Sequence, residues 1–168
     1  MDSKHAIILT VCTLLGGGAF WAVSEPEEPS HTGQAIIVDG DTLKMNGETY
    51  RLAGIDAMEA KQTCQRSDGT EWPCGAEATA MLRNFAGTRE VTCDVQNRDR
   101  YRRFIATCFA DGRDLGRHMV RKGMAIAYRR YSKEYVPDET TARFLKIGIW
   151  AGRFDRPEDW RRQQRKGG

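Results

Sequence analysis

Three features of the chain predict an α+β domain. A β-branched run, Ala35-Ile36-Ile37-Val38, leads into a hairpin signal, in which Leu43-Lys44-Met45 and Tyr50-Arg51-Leu52 alternate apolar and polar residues around Asn46-Gly47. That dipeptide suits a type I′ turn. Gly75 to Ala86 then carries Ala78, Met81, Leu82 and Phe85 at three- and four-residue steps, the period of an amphipathic helix. Further strand and helix patterns interleave behind it. With 168 residues, 40% hydrophobic and 29% charged, the chain has room for one domain with its own core.

The elements follow in order. Ala6 to Val23 is an apolar or small-residue run behind Lys4, with Ala22-Val23-Ser24 offering small residues for cleavage. Residues 1–24 therefore read as a signal peptide or a membrane anchor, and either one exports the domain to the periplasm or the medium. Residues 25–33 form an acidic, Pro-containing linker with no apolar period, so the domain is expected from residue 34 to 160. Arg51 to Ile55 continues as a strand ending at an acidic turn, and Lys61 to Pro73 reads as a loop. Gly87 stops the first helix. Residues 91–95 and 104–109 alternate as two strands around an Asp99-to-Arg103 loop. Asp114 caps a helix from Leu115 to Lys122, Met124 to Tyr128 is a short strand, and Asp138 opens a third helix that Gly148 stops. Phe154 to Trp160 reads as an aromatic-anchored tail, and residues 161–168 as a basic one.

The formal net charge is only +3, but its distribution is uneven. Arg98 to Arg130 holds ten Lys or Arg against three acids, and Arg161, Arg162, Arg165 and Lys166 form a second basic cluster. Local surface of this kind suits a polyanion such as nucleic acid. Cys12 lies in the apolar run, leaving Cys64, Cys74, Cys93 and Cys108 in the domain, with no Cys-x-x-Cys and no zinc-finger spacing. Four cysteines allow three pairings. Pairing sequence neighbours joins Cys64 to Cys74 across a loop and Cys93 to Cys108 across two strands. Each bridge would contribute roughly 2 to 4 kcal/mol, and disulfides agree with export. His5, His31 and His118 sit in the apolar run, the linker and a helix, and none pairs with a serine or cysteine as a nucleophilic triad would require.

Asp39 to Glu59 concentrates the chemistry. It places Asp41, Asp56 and Glu59 around Arg51, and the hairpin returns Asp56-Ala57-Met58-Glu59 towards Asp39-Gly40-Asp41. Gathered acids repel unless a cation lies among them. Two carboxylates with carbonyls and waters can make a Ca²⁺ site, which tolerates irregular geometry; EF-hand spacing is lacking. A plain two-residue turn sets Arg51 opposite Thr42, on the other face from Asp41. A shared site therefore requires a bend, a bulge or a longer turn.

Asp-Gly-Asp-Thr at 39–42, Arg-Leu-x-Gly-Ile-Asp-Ala-x-Glu at 51–59 and Asp99-Arg100-Tyr101-Arg102-Arg103 resemble the three ordered motifs of the thermonuclease (staphylococcal nuclease-like) family, over about residues 35–150. The resemblance implies a five-stranded OB-type β-barrel with about three helices. It also implies a calcium-dependent nuclease cutting DNA and RNA with little sequence preference. On this resemblance Asp41, Asp56 and the carbonyl of Ala57 match calcium ligands, and Glu59 matches the general base or the group that orients water. Arg51 and Arg103 match the phosphate-holding arginines, whose fork of donors meets two oxygens at once. Tyr128, and less closely Tyr131, lie near the family's base-stacking tyrosines. Two positions depart from the pattern. Met58 stands for the usual proline, and Arg102 stands for a glycine, where it adds a cation for substrate and carries strain if φ there is positive. The alternative is a non-catalytic nucleic-acid-binding OB module, which would have no need of all three acids.

Overall fold

Residues 30–167 are described by a computed structural model, and their first stretch decides how the sheet curls. β1 (Ser30–Gln34) and β2 (Ile36–Ile37) are two halves of one strand separated by Ala35. There follow β3 (Thr42–Met45), β4 (Glu48–Leu52), β5 (Ile55–Ala57), β6 (Cys64–Gln65), β7 (Glu71–Trp72) and α1 (Cys74–Ala86). β8 (Glu90–Arg98), β9 (Phe104–Ala110), β10 (Arg113–Asp114), α2 (Leu115–Arg121), β11 (Ala125–Ala127) and α3 (Val136–Phe144) come next. A 3₁₀ turn at Gly148–Ala151 precedes α4 (Pro157–Gly167). Strand pairing runs β1-β8-β9-β4-β3-β2, with β4 and β9 parallel. Since the two ends of that path are one strand joined through Ala35, the curled sheet counts five staves, the OB-type α+β architecture predicted.

Alternation fills the barrel. Leu43, Met45, Tyr50 and Leu52 from the β3–β4 hairpin, and Val91, Cys93, Ala106, Cys108 and Ala110 from β8 and β9, are buried. Asn46 and Gly47 turn the hairpin with φ of 53° and 81°, as a type I′ turn requires. α1 adds Ala78 and Leu82 to this core, and α2 adds Leu115, Met119 and Val120. Asp114 accepts the Arg117 amide at 3.0 Å and so caps α2 as expected. Cys64 is bonded to Cys74, and Cys93 to Cys108, which face each other across β8 and β9.

Several boundaries move; Arg51 to Ile55, for one, is broken by a turn at Ala53 and Gly54 into β4 and β5, and α3 starts at Val136. Ser30 to Gly33, assigned to the linker, pair with β8 from Asp94 to Val91. The pairing uses main-chain groups and needs no apolar period, and His31 Nδ1 lies 2.6 Å from the Tyr50 hydroxyl. The loop before α1 holds the β6–β7 ribbon closed by Cys64. The tail is a fourth helix, α4, with Pro157 at its start, Glu158 and Asp159 in its first turn and Arg165 and Lys166 in its last, an arrangement that complements the helix dipole. The expectations for residues 1–24 lie outside the described residues.

Candidate active site

The hairpin register is the plain one, with Thr42 opposite Arg51, yet Arg51 Nη1 donates to Asp41 Oδ1 at 2.8 Å. A bend at residues 39–41 reconciles the two. Asp41 precedes β3, so strand alternation does not govern its side chain. The Val38 and Asp39 amides both donate to the Thr42 carbonyl, at 2.9 and 3.3 Å, and the Asp41 amide donates to Asp39 Oδ1 at 3.0 Å. The bend faces Asp41 towards β5, where the Ala57 amide donates to its Oδ2 at 3.2 Å. It is thus the amide of Ala57 that meets Asp41.

Arg51 spans the two acids, its Nη2 donating to Asp56 Oδ1 at 2.8 Å. Side-chain exposure is 6% for Asp41 and 1% for Asp56, so both carboxylates are cut off from water. Burial pushes the Asp41 carboxyl well above the usual carboxylate range; Asp39 and Asp56 add to the push, while Arg51 and the Ala57 amide oppose it. Burial works against the charge of Arg51 as well, but Asp41 and Asp56 outweigh it and hold the guanidinium charged.

Glu59 leaves β5 through a turn hung on Gln62, whose Oε1 accepts the Glu59 amide at 3.2 Å and whose backbone N–H donates to the Glu59 carbonyl at 2.7 Å. The start of α1 packs directly on this turn, since a Cβ on Gly75 would lie 1.6 Å from the Glu59 carbonyl oxygen. Met58, at the usual proline position, is buried and donates its amide to the Met124 carbonyl at 3.3 Å, a bond that proline could not make.

Arg103 belongs to a different part of the surface. It ends the β8–β9 loop and makes two bonds to Asp99 Oδ2, from Nε at 2.9 Å and Nη2 at 2.7 Å. Arg51 stands opposite Ile105 in the parallel pairing, so Arg103 lies two residues back on the neighbouring strand, about 8 Å away between Cα atoms by strand geometry. It lines a recess of about 390 Å³ with Gly47, Glu48, Thr49, Arg98, Tyr101 and Arg102; Asp41, Asp56 and Glu59 line no part of it. Arg102 does sit at positive φ, 67°. Tyr128 is half-buried beside exposed Tyr131, with ring centres 4.8 Å apart and edge to face. Burial raises the Tyr128 hydroxyl pKa, and Glu158 and Asp56 add to the rise.

Two participants carry no local sequence signal. One is Gln62. The other is Arg161 of α4, whose Nη1 and Nη2 donate to Asp56 Oδ1 and Oδ2 at 3.0 Å each, and whose Nη1 also bonds Glu59 Oε1. Assigned to a basic tail by its neighbours, it lies inside the cluster. The structure therefore gathers Asp41, Asp56, Ala57 and Glu59 around the guanidiniums of Arg51 and Arg161, with Arg102 and Arg103 on an adjoining edge. Among the described residues, no three His, Cys, Asp or Glu side chains form a group ready for a metal.

Known proteins share this arrangement of sequence. The profile described as "Staphylococcal nuclease homologue" matches residues 49–152. The "Succinoglycan biosynthesis protein ExoI" of Rhizobium meliloti (strain 1021) is 38% identical over 121 residues, 70% of this chain and 63% of that protein. The "Probable endonuclease lcl3" of Sclerotinia sclerotiorum (strain ATCC 18683 / 1980 / Ss-1) is 29% identical over 144 residues, 77% of this chain and 53% of that protein. The chain thus spans well under two thirds of the second and slightly under two thirds of the first. An "Uncharacterized endonuclease" of Haemophilus influenzae (strain ATCC 51907 / DSM 11121 / KW20 / Rd) is 30% identical over 171 residues, covering 96% of this chain and 88% of that protein. With more than half its length matched by the profile and nearly all of it by the Haemophilus relative, the chain belongs to the family of staphylococcal nuclease homologues.

Proposed function

We propose that the protein is an exported, calcium-dependent nuclease that hydrolyses phosphodiester bonds of DNA and RNA with little sequence preference. The observation that carries this reading is the buried pair Asp41 and Asp56, bridged by Arg51 at 2.8 Å on each side, with Glu59 joined to the same cluster through Arg161. The donor set fits Ca²⁺: two hard, buried carboxylates beside the backbone of Ala57. A bound divalent cation would supply charge for the developing phosphorane and acidify water. The residues of the chain do the rest. Glu59, 28% exposed at its side chain, accepts a proton from the attacking water. Arg51 and Arg103 hold the phosphate oxygens by paired N–H donors, and Arg102 adds a cation along the approach. Tyr128 offers a face for a base. The two disulfides support export.

A second reading has its own observation. The contact of Arg161 with Asp56 and Glu59 neutralises the acids that catalysis needs, as a non-catalytic nucleic-acid-binding module could tolerate. One experiment decides between them. The protein is incubated with single-stranded DNA or RNA in Ca²⁺ or chelator, alongside Glu59→Gln. Cutting that needs Ca²⁺ and falls by roughly 10² to 10⁴ in the variant is the expected result. Binding without cutting under every divalent metal tried would establish the module instead.

A further inference from the structure

Arg161 reaches the cluster from far along the chain, 105 residues from Asp56 and 102 from Glu59. Its fork covers both oxygens of Asp56, one of which also takes Arg51 Nη2 at 2.8 Å. The Asp56 side chain is 1% exposed and that of Arg161 29%, so the pair is shielded from the screening that weakens surface ion pairs. Elsewhere in α4, Pro157 is buried, Glu158, Asp159 and Trp160 are half-buried, and residues 162–167 are exposed. The ion pairs of Arg161 tie this helix to the acidic cluster. Just before it, the Asp155 carbonyl is fixed by Gln62 Nε2 at 2.7 Å, which gives the helix a pivot.

We propose that α4 is a strap whose Arg161 competes with a divalent cation for Asp56 while it also occupies the base Glu59, so that the docked helix holds the site idle and cation binding releases it. The inference rests on the calcium reading above. A cation needs the same carboxylate lone pairs that the guanidinium occupies, and two positive charges within a few ångströms repel. Competition of this kind is reciprocal: whatever factor Arg161 costs the cation, the cation costs the docking of α4.

The test is a calorimetric Ca²⁺ titration of the full chain with Arg161 intact, Arg161→Ala and Arg161→Lys, together with amide hydrogen exchange across α4 with and without saturating Ca²⁺. Arg161→Ala is expected to bind Ca²⁺ tighter by roughly 5- to 150-fold, the usual span of coupling between sites, with Arg161→Lys in between. Ca²⁺ is expected to speed exchange in α4 of the unaltered protein by a similar factor. Equal or weaker Ca²⁺ affinity in Arg161→Ala, or exchange in α4 that Ca²⁺ leaves unchanged, overturns the strap while the calcium reading stands. Absence of Ca²⁺ binding in all three proteins overturns both.

Discussion

Gln62 Nε2 donates to the Asp155 carbonyl at 2.7 Å, joining residues 93 positions apart. Its Oε1 holds the Glu59 amide, so a single buried amide ties the acidic turn to the chain that leads into α4. Replacing Gln62 with Leu keeps the volume and removes both bonds. We expect a loss of about 1 to 3 kcal/mol in urea denaturation, the cost of leaving buried groups unpaired. Turnover should fall with KM nearly unchanged, because Glu59 loses its aim rather than the substrate its grip. Unaltered turnover would show that Glu59 is positioned without Gln62.

Arg103→Lys separates fork from charge. An ammonium cannot repeat the two bonds that the guanidinium makes to Asp99 or would make to a phosphate. Turnover is expected to fall by up to roughly 10²- to 10³-fold, as for the loss of an oxyanion donor, with no recovery as Ca²⁺ is raised. Asp41→Asn should behave oppositely, regaining activity at high Ca²⁺. Steady-state kinetics across a Ca²⁺ series reads both.

Arg102 at φ 67° carries the left-handed penalty of about 1 to 2 kcal/mol that glycine escapes. Glycine gives back about 0.5 to 1 kcal/mol through the unfolded chain, so Arg102→Gly should be more stable by a fraction of a kcal/mol. The same change removes a cation from the rim, and the slope of log affinity against log salt for DNA should flatten by about one contact. A stability loss would place Arg102 in a tertiary role.

His118 stacks on Phe85 with ring centres 3.6 Å apart. Burial lowers its pKa from 6.5 to about 4, helped by Lys122 and Arg113. A pKa depressed by folding means that the unfolded chain binds the extra proton first. The contribution of His118 is therefore complete above pH 6.5 and is lost as pH falls from there towards 4. Urea denaturation between pH 7 and 4 should show this decline, and His118→Phe, which keeps a ring on Phe85, should make it shallower.

The barrel and the acidic cluster were legible because their signals are local. Alternation in β3, β4 and β9, the Asn46–Gly47 turn and the helix period of α1 each lie within a dozen residues. The cysteine pairing followed because Cys93 and Cys108 sit on adjoining strands of one hairpin. The bend at Asp41 could not be chosen in advance, since it depends on main-chain bonds to the Thr42 carbonyl that any residues could make. The strand at Ser30 stayed hidden because polar residues can pair by backbone alone. Arg161 was beyond reach for a different reason: its partners lie more than 100 residues away, and its charged neighbours supply no apolar stripe to announce a docked helix.

The split strand that carries Ala35 has a consequence for how the chain assembles. Residues 30–37 must find β3 on one side, a few residues on, and β8 on the other, about sixty residues later. The first stave made is thus among the last to be secured. Contacts between distant stretches slow folding, and until β8 arrives this segment offers a free edge to any neighbouring chain. The polar sequence Ser30-His31-Thr32-Gly33 is well suited to that wait, because it can pair when its partner comes and has little apolar surface with which to aggregate before then.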